Sequence, residues 1–201
     1  MPSVAEESIF VDGYKDWWEG RWMVSQGGDG EQTYGQPADL YWGIVDTLVA
    51  ERRIRTILDV GCGACNQWRT NSLPVPDRDF TGIEISARAI VHAERKHRDA
   101  SFICGDITQA DLWEAAPSAD LVVCTEVLNH IEPEHYKPLV ARIFCTAEKA
   151  VILRMWQKES LHGAGGYHWD NPVPEVDGWD MEEYAAPNSS ANARIYVYVR
   201  R

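Results

Sequence analysis

Two glycines one residue apart, Gly61 and Gly63, follow the run Ile57-Leu58-Asp59-Val60, and this stretch has the clearest chemical use in the chain. Ile57, Leu58 and Val60 read as a buried strand, the glycines as a sharp turn, and a helix is expected to begin after Ala64. That order makes a nucleotide cradle. Glycine lets the backbone turn and a ligand approach closely, and a helix start offers free N–H groups. Carboxylates stand around it at expected strand ends: Asp59 before the turn, Glu84 after Thr81-Gly82-Ile83, and Asp106 near the end of a strand over 101–107. An acid closing the strand after the turn accepts both hydroxyls of a ribose. Histidines supply the candidates for proton transfer, because an imidazole with a pKa of about 6.5 serves as a general base near neutrality. His130 comes first, at the end of the fourth strand, with a histidine bonded to backbone at a helix start as the structural alternative. His162 and His168, in a late loop, come second.

The type of nucleotide follows from what the glycines lack. The dinucleotide fingerprint is G-x-G-x-x-G/A, and Asn66 stands where its third small residue belongs. The hydrophobic-Asp-x-Gly-x-Gly pattern, followed by a strand ending in Glu84, resembles the class I S-adenosylmethionine-dependent methyltransferases. That cofactor has no pyrophosphate to cradle, so a nicotinamide dinucleotide is the weaker reading. The resemblance implies that Asp59, Gly61, Cys62 and Gly63 face the methionine part of the cofactor. It further implies that Glu84 holds the ribose with Ile85 beside it, and that Asp106 accepts from the adenine amino group with Ile107 beside the ring. Thr125 and Glu126 are then placed near the transferred methyl. One departure is Cys65, which stands where a third glycine is common in the family. For Asp106 a second role is open, as the cap of a short helix through Leu112-Trp113. Glu126 is open as a base, a cofactor contact or a surface cap.

Glu126-Val127-Leu128-Asn129-His130-Ile131 resembles the Val-Leu-x-His-Ile/Leu signature of small-molecule methyltransferases. The Asn/Asp-Pro-Pro-Tyr/Phe motif with which many family members grip a base or amide nitrogen does not follow the fourth strand. Trp17 to Gly35, followed by Ile57 to Trp68, is similar to a subgroup associated with glycan or other small-molecule modification. These resemblances imply an enzyme that moves a methyl group to oxygen or nitrogen of a small-molecule or saccharide acceptor. Asn129, Tyr14, Trp22, Tyr34, Tyr167 and Trp169 are its candidate acceptor contacts. A nucleic-acid or nucleotide methyltransferase and a non-catalytic cofactor binder are the rival classes.

The elements that must position these residues follow the same pattern. Pro37 suits a helix's first turn, and Leu40, Ile44, Val45, Leu48 and Val49 recur at helical spacing through Glu51. Phe80 to Glu84 is the second strand, and Ser86 is an N-cap for a helix to about residue 98. Ala119 to Thr125 is the fourth strand, Pro133 opens a helix to about Glu148, and Ala150 to Met155 is the fifth strand. Trp179 to Ala186 and Ala193 to Arg200 read as an antiparallel hairpin, with Ile195, Val197 and Val199 alternating with Tyr196 and Tyr198. The expected fold is an α/β, Rossmann-like, doubly wound and mostly parallel sheet closed by a C-terminal antiparallel hairpin. It spans residues 37–201. Residues 1–36 are dense in aromatics and glycine and form either a packed cap or a movable lid.

The 201 residues are 45% hydrophobic and 25% charged, which suits one soluble globular domain. A net charge of -12 repels nucleic acid and anionic membrane. The basic clusters at 52–55 and 88–98 read as solvated helix faces and ends. No apolar run is long enough to span a membrane, and residues 1–10 are too acidic for a secretory signal. Five scattered cysteines point to buried thiols in a reducing compartment, hence to the cytoplasm. Cys62-Gly63-Ala64-Cys65 is formally a C-x-x-C, but no second pair completes a zinc site and it reads as two small residues in a tight turn. No metal is expected.

Overall fold

The computed structural model describes residues 16, 38–66, 68, 74–76, 79–156, 169–185 and 193–201. In chain order the elements are helix α1 (Ala38–Glu51), strands β1 (Ile57–Val60) and β2 (Phe80–Glu84), helix α2 (Ala87–Lys96), strand β3 (Ser101–Cys104) and helix α3 (Leu112–Ala115). Strand β4 (Ala119–Thr125), a 3-10 turn (Leu128–His130), helix α4 (Pro133–Thr146) and strands β5 (Ala147–Met155), β6 (Trp179–Ala185) and β7 (Arg194–Arg200) follow among the described residues.

The strands form one seven-stranded sheet in the order β3-β2-β1-β4-β5-β7-β6. The first five are parallel to their neighbours, whereas β7 runs against both β5 and β6. Side chains alternate across the sheet, so each face gathers its own core. Ile57, Leu121, Ile152 and Ile195 point to one face, where Tyr41, Ile44, Val45 and Leu48 of α1 cover them. Leu58, Val122, Leu153 and Tyr196 point to the other, under Tyr136, Leu139, Ile143 and Phe144 of α4. Both faces around β1 and β4 are therefore buried and neither strand carries an exposed position, whereas the edge strand β3 exposes Ser101 and Cys104.

Local chemistry sets the ends of the elements. Ser86 Oγ accepts from Ala89 N at 3.3 Å to start α2, which closes with Arg95 and Lys96 in its last turn. The third strand stops at Cys104 rather than running on to 107, because its one neighbour, β2, ends with Glu84 opposite Cys104. The fourth helix ends at Thr146 and β5 begins at Ala147, three residues before the expected strand start, since Ala147 already pairs with Ala119. The basic clusters are solvated as expected, with Arg52, Arg53, Arg55, Arg88, Arg95, Lys96 and Arg98 exposed. The cysteine reading needs correction: Cys62, Cys65 and Cys124 are buried free thiols, but Cys104 and Cys145 are exposed. Among the described residues no helix is long and apolar enough to cross a membrane.

The helix expected directly after Ala64 is replaced by turns over 63–66. Gly63 and Cys65 both take the left-handed conformation, with φ of 54° each. An α-helix cannot propagate through such residues. The chain folds instead on turn bonds from Cys65 N to Cys62 O (2.9 Å) and from Trp68 N to Cys65 O (3.4 Å). Trp68 is then drawn inward, its indole N–H donating to Asp59 Oδ2 at 2.6 Å and its ring packing edge-on to Trp42 and Phe80.

Candidate active site

Five parallel strands deliver their C-terminal ends to one edge of the sheet, and the strand order reverses between β1 and β4. Open α/β sheets bind ligands in the crevice at such a reversal. Residues 61–63, 84–86, 105–107, 125–130 and 154–156 all lie along that edge. Residues far apart in sequence meet there because each follows directly from a parallel strand.

The glycine turn is held from both sides. The N–H groups of Gly61 and Cys62 donate to Ile83 O of β2 at 2.8 and 3.0 Å. Gly61 has a φ of 77°, and a Cβ built there would lie 2.2 Å from Val127 Cγ2. The turn thus lies directly against the loop after β4, and only glycine fits. Glu84 is buried and accepts from Gly63 N at 3.1 Å through Oε2 and from Ser86 N at 2.9 Å through Oε1. One carboxylate therefore joins the end of β2 to the turn after β1, with Ile85 half-buried beside it. Asp59 is wholly buried, and its bond from Trp68 anchors the turn from beneath. The thiol of Cys62 is pushed up by its hydrogen bond with Cys65, by burial and by the nearby carboxylates of Asp59 and Glu84, so it stays a neutral packing group. At Cys65 the chain adopts with a side chain the conformation that glycine adopts without penalty.

Asp106 organises a turn of its own. Its Oδ1 accepts from both Thr108 N and Thr108 Oγ1 at 2.8 Å, and its carbonyl accepts from Gln109 N at 3.0 Å. Two distant side chains hold the carbonyls of this turn: Trp113 Nε1 donates to Ile107 O, and a guanidinium N–H of Arg142 donates to Thr108 O, both at 2.8 Å. Ile107 is buried. The alternative of Asp106 as cap for the short helix is corrected, since Asp111 does this by accepting from Leu112 N at 3.0 Å.

After β4 the chain turns at Thr125, which is buried, and Glu126, whose φ of 60° is left-handed. Glu126 N donates to Arg154 O at 2.8 Å, and its carboxylate pairs with the buried Arg154 guanidinium at 3.1 Å. Burial raises the Glu126 carboxyl above the ordinary carboxylate range, against the opposing pull of Arg154 and Trp156. Glu126 is thus the half-buried partner of a buried arginine and not a surface cap. Asn129 is buried, with Oδ1 accepting from Trp156 N at 2.8 Å and Nδ2 donating to Trp156 O at 3.3 Å. Its amide ties the 3-10 turn to the end of β5. His130 is buried at the end of that turn, not at a helix start, and meets the Trp156 ring edge-on at 5.8 Å between centroids. Trp169 arrives from the late segment, its N–H donating to Asn129 O at 2.7 Å. Asn171 secures the same segment by donating to Leu128 O and Ile131 O at 2.7 Å.

Asp59, Gly61, Cys62, Gly63, Glu84, Ile85, Asp106, Ile107, Thr125, Glu126, Asn129, His130 and Trp169 are therefore gathered along one edge of the fold. His162, His168, Tyr14, Trp22, Tyr34 and Tyr167 lie outside the described residues, as does the rest of the aromatic stretch before residue 36. Sequence reasoning missed Arg154, Trp156, Asn171 and Arg142. Only Arg154 left a signal: an arginine within the apolar run 150–155 must be buried and so needs a carboxylate partner. Among the described residues one group has ligand atoms close enough for a metal, Glu132, Glu134 and His135 at the start of α4. Acids at a helix N-terminus answer the helix dipole without any ion.

Residues 57–148 match the family model described as "Methyltransferase domain". No curated protein matches the chain in sequence. Among solved structures the fold is similar to magnesium protoporphyrin IX methyltransferase (ChlM) from Synechocystis PCC 6803 with bound S-adenosylmethionine. That similarity has 17% identity, a TM-score of 0.69 and coverage of 100% of both chains. It is also similar to the N-methyltransferase NodS from Bradyrhizobium japonicum WM9 in complex with S-adenosylhomocysteine, at 15% identity, TM-score 0.68, and 92% and 98% coverage. An O-methyltransferase family protein from Burkholderia thailandensis aligns at 13% identity and TM-score 0.60, over 92% of this chain and 59% of that one. The chain therefore carries a methyltransferase domain over residues 57–148, in a fold similar to that of enzymes solved with S-adenosylmethionine or S-adenosylhomocysteine bound.

Proposed function

We propose that this methyltransferase transfers the methyl group of S-adenosylmethionine to an oxygen or nitrogen of a small-molecule or saccharide acceptor in the cytoplasm. The donor set fits the cofactor. Glu84 lies at the end of β2 and already touches the glycine turn, Asp106 lies one strand further out, and neither position calls for a pyrophosphate cradle. In this reading the turn 61–63 meets the methionine part, Glu84 accepts from the ribose hydroxyls, and Asp106 accepts from the adenine amino group between Ile85 and Ile107. The cofactor supplies an electrophilic methyl on a positive sulfur, so catalysis rests largely on alignment of the acceptor. Thr125 and Glu126 border the reacting end. His130 takes the acceptor's proton at a ring nitrogen, with His162 and His168 as further candidates. Trp169, Tyr167, Tyr14, Trp22 and Tyr34 wall the acceptor, residues 1–36 acting as a cap on the domain 37–201. Asn129 shapes this end through the Trp156 backbone.

The observation that carries this reading is the single carboxylate of Glu84 bridging Gly63 N and Ser86 N at the sheet's switch point. The small-molecule acceptor is supported by the net charge of -12 and by two partly exposed tryptophans, Trp156 and Trp169, beside a buried histidine. Calorimetric titration with S-adenosylhomocysteine tests the cofactor site: wild type binds, and Glu84→Ala binds at least tenfold more weakly, as expected for lost bonds to a charged acceptor. Equal affinity in the two proteins overturns the assignment. Product release measured against sugars, phenols, amines and oligonucleotides then separates the acceptor classes.

A further inference from the structure

Asp106 closes no helix, yet its turn is held by more side-chain bonds than a surface turn needs. The carbonyls of Ile107 and Thr108, on the two residues that follow it, are each taken by a side chain from elsewhere. Trp113 reaches back from α3, and Arg142 reaches from the middle of α4, 34 residues further along the chain. Thr108 meanwhile engages Asp106 Oδ1 twice, through its N–H and its hydroxyl. This arrangement orients the carboxyl group and leaves Oδ2 as the oxygen that the turn does not use.

We propose that Arg142 and Trp113 are positioning residues for adenine recognition, holding the 106–109 turn so that Asp106 presents Oδ2 to the exocyclic amino group. This rests on the adenine role of Asp106 in the proposed function. A hydrogen bond to a charged acceptor depends steeply on distance and angle, so a turn left free to rotate its carboxylate loses most of the discrimination. Neither residue touches the ligand in this account. Arg142 acts through Thr108 O, and Trp113 through Ile107 O, on the two peptide units that flank Thr108.

The experiment compares two ligands by calorimetry. S-adenosylhomocysteine carries the amino group, and S-inosylhomocysteine carries a carbonyl oxygen in its place. Wild type is expected to prefer the first by about tenfold or more, the usual worth of one bond to a carboxylate. Arg142→Ala and Trp113→Phe are expected to weaken S-adenosylhomocysteine by about fivefold to tenfold while S-inosylhomocysteine changes less than twofold, so the preference collapses. Arg142→Lys keeps a donor on a long stem and is expected to restore most of the preference. If both ligands weaken together, the two residues serve only the fold and the proposal fails. It fails equally if the preference survives in Arg142→Ala, or if wild type shows no preference to begin with. A wild-type protein that binds neither ligand refutes the cofactor site itself, a result separate from these.

Discussion

Replacing Gly61 by alanine puts two independent penalties on one atom. The φ of 77° is left-handed, which costs an L-residue roughly 1–2 kcal/mol. The new Cβ also falls 2.2 Å from Val127 Cγ2, far inside contact, and overpacking of this kind costs about 1–3 kcal/mol. Together these amount to roughly 2–5 kcal/mol, a large fraction of a typical domain's 5–15 kcal/mol. The two parts separate because Val127 Cβ, at 3.4 Å, is in ordinary contact, so only the γ-methyl of the valine clashes. Guanidinium unfolding of Gly61→Ala, Val127→Ala and the double variant therefore forms a cycle. The double variant is expected to regain about 1–3 kcal/mol relative to the sum of the singles, and to retain the backbone penalty. Cofactor affinity should fall in Gly61→Ala beyond what instability explains, because Val127 and the turn move together. Strict additivity of the two substitutions, or a Gly61→Ala protein within about 0.5 kcal/mol of wild type, would refute the claim that the turn and the β4 loop are in direct apposition.

Two further outcomes follow from buried charge. Arg154→Met removes the partner of a carboxylate already raised by burial and is expected to cost about 3–5 kcal/mol at pH 7, most of it recovered by adding Glu126→Gln. Because the folded-state pKa of Glu126 then lies well above the unfolded value of about 4.3, the single variant loses stability as pH rises above that value, which urea titrations from pH 4 to 8 would show. Asp120 behaves in the opposite sense. Burial disfavours its charge, but the Lys149 ammonium at 2.9 Å and the Arg55 backbone N–H at 2.7 Å outweigh this and lower its pKa. Its contribution is present above about pH 3.9 and disappears as pH falls through the lower folded value, so Asp120→Asn is expected to flatten the acid limb and cost about 1–3 kcal/mol at neutral pH, measured by urea unfolding.

The sites that sequence exposes are those whose chemistry is local. Gly61 and Gly63 after an apolar run, Glu84 at the end of the next strand and Ser86 as a cap each state their role within a few residues, and the strands and helices around them appear close to where their periodicity puts them. The misreadings occur where a distant partner intervenes. The sequence predicts a helix after Ala64, but Trp68 is anchored to Asp59, nine positions earlier, and Cys65 turns left-handed, so the chain coils back on itself. Of the two roles open to Asp106, the helix cap falls to Asp111, while Asp106 takes two bonds from Thr108. Cys104 and Cys145, expected to be buried with the other scattered thiols, are both exposed.

By itself the sequence determined the order and type of the elements and the presence of a glycine turn flanked by strand-end acids, since these depend on side-chain period, glycine's freedom and short-range caps. Only the tertiary structure decided that Arg154 neutralises Glu126, that Arg142 reaches the turn after Asp106, and that Asn129 faces the Trp156 backbone rather than solvent. Those pairings join residues from different strands and helices. They exist because parallel strands bring their ends to a common edge, and no spacing along the chain encodes which ends will be neighbours.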